Sequence, residues 1–228
     1  MAKLYFRYGA MNSGKSTALL QAAFNYEERG HRVLLAKPAI DTKGEHTIVS
    51  RLGFGRAVDF VIEPDASVRA LFAAQVAAGA AAAPVSRVGA GDSPVPADDA
   101  GAAAPSSRAA TTPSCLLVDE AQFLTATQVD DLFRIAVQDN VPVIAYGIRT
   151  DFQTAAFPGS RRLLEVAHSL EELKTICRCG RKAIFNGRLV DGRFIFDGDQ
   201  VAIDGAEVTY ESLCGSCYLT ESGGALGR

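Results

Sequence analysis

Hydrophobic and polar positions follow two rhythms along this chain. Short apolar runs at residues 4–8 (Leu-Tyr-Phe-Arg-Tyr), 32–36, 57–62, 115–118 and 141–146 predict strands, the last tolerating Pro142 near its start. Between them, residues 16–28, 67–78, 125–139 and 161–167 predict helices. The third helix shows its period openly. Val129, Leu132, Phe133, Ala136 and Val137 stand at i, i+3, i+4, i+7 and i+8, one face that packs into a core. Arg29-Gly30 closes the first helix, with glycine where the backbone turns left-handed. Asp65 or Ser67 caps the second. Strand–helix–strand alternation predicts an α/β fold, a parallel sheet flanked by helices.

Two stretches break the rhythm. Residues 79–113 are mostly Ala, Pro, Gly, Ser and Asp, without an aromatic side chain. Such a composition buries too little apolar surface to offset the entropy of ordering, so it reads as a low-complexity insert, an inert linker inside the domain. The apolar strand pattern resumes directly after it. From residue 171 onward the pattern shortens into small strands around an Asp191-Gly192 turn, a strong hairpin signal. The expected division is 1–170 for the main domain with its insert, 171–219 for a small lobe, and a Gly-rich mobile tail at 220–228.

The first candidate chemistry sits in the earliest strand–helix turn. Residues 9–16 read Gly9-Ala10-Met11-Asn12-Ser13-Gly14-Lys15-Ser16, matching G-x-x-x-x-G-K-[ST] at each fixed position. The loop needs glycine to turn with positive φ and approach a polyanion closely. Its N–H groups form a nest for phosphate oxygens, and the following helix adds its partial positive charge. Lys15 reaches the β- and γ-phosphates, and Ser16 ligates Mg²⁺.

A metal-bound triphosphate needs a carboxylate. Cys115-Leu116-Leu117-Val118 runs into Asp119-Glu120, the apolar-then-acidic arrangement that holds magnesium. This strand is expected beside the first, with Asp119 on Mg²⁺ and Glu120 as general base near the γ-phosphate. Cys115 itself reads as core filling. Asp41, after the second strand, either approaches the metal or substrate or is a solvated loop carboxylate. Arg149 either stabilises transferring phosphate charge or serves a structural ion pair.

Four of the five cysteines form two close pairs, Cys177/Cys179 and Cys214/Cys217, separated by 34 residues. Four thiolates suit a closed, tetrahedral, structural Zn²⁺ site; a redox pair is the alternative. The formal net charge of −3 gives no footprint for nucleic acid or an anionic membrane. No apolar run spans a bilayer, and no signal-peptide pattern opens the chain, so a soluble cytoplasmic protein is expected.

Taken together, residues 9–17, the Asp119-Glu120-Ala121-Gln122-Phe123 run, Gly147-Ile-Arg-Thr-Asp-Phe-Gln153, Phe157-Pro-Gly-Ser160 and the cysteine pairs resemble the thymidine kinase family of the cellular, zinc-containing type. The resemblance spans residues 3–219 apart from the insert. It implies a RecA-like P-loop core with a zinc-bearing lasso lobe, and transfer of the γ-phosphoryl of ATP to the 5′-hydroxyl of thymidine or possible deoxyuridine. It implies that Glu120 takes the hydroxyl proton, and that Ala121 and Gln122 join Asp119, Glu120 and the phosphate loop at the nucleotide. Asp41 matches an Asp that positions Mg²⁺ or substrate. Met11, Phe123, Phe157 and Tyr210 match residues lining the thymine pocket, and Val201 and Ile203 belong to the lasso that grips the base. A homotetramer is implied as well. Two other readings of the residues remain: an ATP-hydrolysing motor or DNA-repair module, and a zinc-ribbon binding module with a vestigial nucleotide site.

Overall fold

The structure is a computed structural model that describes residues 1–41, 46–82, 112–200 and 208–226. Its centre is a six-stranded sheet, in which each neighbouring pair is parallel. In chain order the first elements are β1 (Leu4–Tyr8), α1 (Lys15–Glu27) and β2 (Val33–Pro38). A small hairpin follows, β3 (Thr47–Val49) and β4 (Gly55–Ala57), then β5 (Phe60–Ile62) and α2 (Val68–Ala82). After the insert come β6 (Cys115–Val118), α3 (Ala126–Val137), β7 (Val143–Gly147), α4 (Pro158–Val166) and β8 (Ser169–Glu172). The sheet order is β5-β2-β6-β7-β1-β8.

That order corrects one expectation. The acidic strand β6 does not lie beside β1; it pairs with β2 and β7, and β7 stands between it and β1. Parallel strands joined by helical crossovers need not be spatial neighbours in sequence order, so the apolar runs could not reveal the swap.

Strand alternation sorts the core into two faces. Leu116 and Val118 of β6 join Phe6, Leu34 and Ala145 on one face, packed against α2, α3 and α4 through Phe72, Val129, Leu132, Ile135 and Leu163. Cys115 and Leu117 turn to the other face, with Leu35, Ile144 and Tyr146, where α1 supplies Leu19 and Ala23. The fully buried Cys115 is core filling, and burial pushes its thiol up to about 12. The α3 N-terminus carries a complete capping box between Thr125 and Gln128.

The smaller lobe begins with the hairpin β9 (Thr175–Ile176) and β10 (Lys182–Ala183). A three-stranded antiparallel sheet follows, β11 (Phe185–Val190), β12 (Arg193–Ile195) and β13 (Val208–Leu213), closed by α5 (Gly215–Glu221). Asp191 and Gly192 both take positive φ, 48° and 75°, the mirror-image turn that suits a two-residue hairpin. Tyr218 of α5 packs on Phe185 and Phe196, and its hydroxyl donates to Phe152 O at 2.7 Å, fastening the lobe to the main sheet's loops. No helix among the described residues is long and apolar enough to cross a membrane.

Candidate active site

Because the six strands are parallel, their carboxyl ends share one edge. The phosphate loop leaves β1 there, and Asp119 and Glu120 leave β6 at the same edge. The loop arcs over the end of β7, where Gly9 N donates to Gly147 O at 3.3 Å. Gly9 has no room for a side chain: a Cβ would stand 2.4 Å from Ser13 Oγ and 2.5 Å from Leu173 O. Gly14 turns at φ 77° and leads straight into α1 without a side-chain cap, which leaves the helix's first N–H groups for an anion.

Lys15 is buried and folds back on its loop, donating to Ala10 O at 3.0 Å. The Asp119 carboxyl accepts from Glu120 N at 3.0 Å, and the Ser16 hydroxyl and the Lys15 charge lie near enough to favour its charged form. Asp119 is 4% exposed, and burial together with the adjoining Glu120 carboxylate pushes its pKa up to about 7. A hydroxyl and two carboxyls crowded at a polyanion cradle form a hard oxygen donor set that a divalent cation suits. Glu120 holds left-handed backbone angles (φ 48°, ψ 37°) and opens a 3₁₀ turn, Ala121–Phe123.

Beside this edge lies a cleft with about 360 Å³ of empty space, lined by Met11, Phe123, Phe157 and Tyr210 together with Ile148, Asp151, Phe152, Asn186 and Gln200. Phe123 and Phe157 meet edge to face, with centroids 5.5 Å apart. Arg188 stacks on the Phe152 ring at 3.6 Å and donates to the Tyr210 hydroxyl at 3.2 Å. The four aromatic and Met positions expected at a nucleobase pocket therefore come together. The motif reading passed over Asn186, Gln200 and Arg188, which reach the site from the distant lobe.

The remaining expectations divide. Asp41 pairs with the buried Lys37 at 2.8 Å. Arg149 lines a groove with Tyr8, Gly9, Ala10 and Glu172, at the root of the phosphate loop. Ala121 and Gln122 are buried, and the Gln122 side chain bonds within the protein. Val201 and Ile203 lie outside the described residues, as does most of the insert.

The four cysteines converge. The sulfurs of Cys177, Cys179, Cys214 and Cys217 lie within 4.8 Å of one another, a group that could hold a metal ion. Gly180, at φ 83°, lets the first pair turn tightly, with Gly180 N donating to Cys177 O. The Cys217 amide helps draw the Cys214 thiol down to about 6, while contact with the Cys179 and Cys177 thiols pushes Cys217 up to about 12. Thiols that compete for one negative charge are the soft donor set that zinc takes up.

Comparison with known proteins decides the family. The family model described as thymidine kinase matches residues 2–62 and 98–218. The chain belongs to the thymidine kinase family. The stretch that the match passes over takes in α2 and the front of the Ala-rich insert. A thymidine kinase of Legionella pneumophila (strain Lens) is 41% identical, covering 100% of this chain and 93% of its own length. Those of Idiomarina loihiensis, at 44% with 94% of each chain covered, and Chromobacterium violaceum, at 43% with 96% of this chain and 98% of the relative, are similar to it over nearly their full lengths. Membership in the thymidine kinase family makes this chain a kinase that uses ATP, and does not favour the DNA-repair reading.

Proposed function

We propose that this protein transfers the γ-phosphoryl group of ATP to the 5′-hydroxyl of thymidine, giving dTMP and ADP in nucleotide salvage. One observation carries the residue assignment: the buried Asp119, whose Oδ1 accepts from Glu120 N at 3.0 Å, sits within reach of the Lys15 charge beside a cleft of Met11, Phe123, Phe157 and Tyr210. The nest and α1 N-terminus receive the phosphates, and Lys15 leaves its loop carbonyls to meet the β/γ oxygens. Ser16 and Asp119 would hold Mg²⁺, which when bound neutralises charge developing on the phosphoryl oxygens. The nucleobase enters between Phe123, Phe157 and Tyr210, and the family resemblance adds Val201 and Ile203 as its contacts. Glu120 takes the 5′-hydroxyl proton as that oxygen bonds phosphorus and the bond to ADP breaks, a contribution of roughly 10²–10⁴-fold.

Cys177, Cys179, Cys214 and Cys217 would hold a structural Zn²⁺; four thiolates leave it no open position for substrate. Residues 1–170 serve as the kinase unit, with β8 crossing its limit, and 171–219 as the lobe. The family resemblance supports a cytoplasmic homotetramer, which light scattering tests. The test of function is direct: the protein with ATP, Mg²⁺ and each nucleoside in turn should yield dTMP from thymidine. ADP release without any nucleoside monophosphate would overturn the reading.

A further inference from the structure

The turn that carries Glu120 also carries a buried amide with no evident business in the core. Gln122 is 1% exposed. Its Nε2 donates to Glu120 Oε2 in a short hydrogen bond, and its Oε1 accepts from Ile148 N at 3.2 Å. Only a donor can face the carboxylate and only an acceptor can face the amide N–H, so the two contacts fix the amide's orientation. The next peptide along is held as well, where Ser160 Oγ donates to Ile148 O. The next residue back, Gly147, makes the room. A Cβ there would lie 2.7 Å from Gln122 Oε1, closer than side chains pack.

These contacts form a chain from the end of β7 to the carboxylate: Ile148 peptide, Gln122 amide, Glu120 Oε2. The backbone of Glu120 is left-handed, a conformation that rewards a side-chain tether. We propose that Gln122 is a positioning residue for Glu120, setting the carboxylate's rotamer so that Oε1, which has no such partner among the described residues, takes the proton. The inference rests on Glu120 being the base. It differs from the expectation that Gln122 contacts the nucleotide: a nucleotide ligand acts on ATP affinity, a positioning residue on turnover.

Gln122→Glu keeps the shape and the acceptor for Ile148 N but sets a second carboxyl against Glu120, so that the pair shares one proton where the amide donated its own. Gln122→Met removes both contacts. Each should lower kcat by about 10- to 100-fold, the usual cost of a misplaced catalytic group, with KM for ATP and thymidine within about threefold of the parent. In a Glu120→Gln background neither should lower the residual rate further, because groups acting as a unit are not additive. Gly147→Ala, which pushes on the amide without altering it, should reproduce the kcat loss and keeps the test alive if Gln122→Met fails to fold. Unchanged kcat in Gln122→Glu, a loss seen only in KM for ATP, or losses that multiply with Glu120→Gln would each overturn the proposal. Full turnover in Glu120→Gln alone would instead sink the base assignment, a distinct outcome.

Discussion

The backbone amide of Met11 donates to Oδ1 of Asn186 at 2.7 Å, joining the phosphate loop to the lobe across 175 residues of sequence. Ser212 strengthens the junction by donating its hydroxyl to Met11 O, and the Asn186 amide reaches on to Thr150 O at 2.9 Å. The loop is therefore shaped from both sides, by β1 and by the paired strands β11 and β13. Asn186→Ala takes the partner from the half-buried Met11 N–H and from Thr150 O, at a cost of about 0.5–1.5 kcal/mol for each bond. The expected outcome is a lower Tm and weaker ATP binding, read by thermal unfolding and by titration with a non-hydrolysable ATP analogue.

The cysteine cluster should matter to the loop through the same junction. Cys214 stands between β13 and α5 as the helix cap, two residues beyond Ser212. Cys214→Ser, or a strong chelator, should release zinc, lower Tm and raise KM for ATP. Zinc counted per chain with a colorimetric chelator checks the first part. A protein that contains no zinc and is indifferent to chelation would refute it.

Glu120→Gln should fold and bind ATP as before, yet lose roughly 10²–10⁴-fold in dTMP formation. Circular dichroism and single-turnover measurement separate folding from chemistry.

Gly9→Ala places a methyl group 2.5 Å from the Leu173 carbonyl, a backbone atom that cannot simply rotate away. The loop must shift, at about 1–3 kcal/mol of stability, and ATP affinity should fall with it.

Asp131 offers a pH test away from the site. Burial works to raise its pKa, but the Ser67 hydroxyl, the Arg69 amide and the Arg134 guanidinium together hold it below the ordinary 3.8. A depressed carboxylate pKa adds stability above the unfolded value, and that gain is lost as pH falls through the folded one. Asp131→Asn should therefore destabilise the protein at pH 7, and the gap to the parent should close below pH 3.8, measured by denaturant unfolding across pH.

The residues that announce themselves in sequence are those whose partners lie nearby. The phosphate loop, α1 and the amphipathic face of α3 are local patterns, and the structure follows them. β8 was not legible: Ser169–Glu172 carries one apolar residue, Leu170, itself half exposed, and becomes a strand only because β1 offers unpaired backbone beside it. The β3–β4 hairpin has strands of three residues each, too short to show a period. At the site, Asp119 and Glu120 stood out as acids at the end of an apolar run. Asn186 did not, since a polar residue inside a strand has no spacing to betray a hydrogen bond to residue 11. Phe123, Phe157 and Tyr210 were found through family resemblance; no local rhythm separates them from core aromatics.

The interposed strand β7 has a mechanical consequence. Two interstrand steps of roughly 4.8 Å set β1 and β6 about 10 Å apart, and that interval is fixed by peptide hydrogen bonds. The anchor for the phosphates and the anchor for the acids are thus gauged by a ruler of main chain. Exchanging side chains along this edge can alter what fills the span, but its width yields only to changes that unzip β7 from its neighbours.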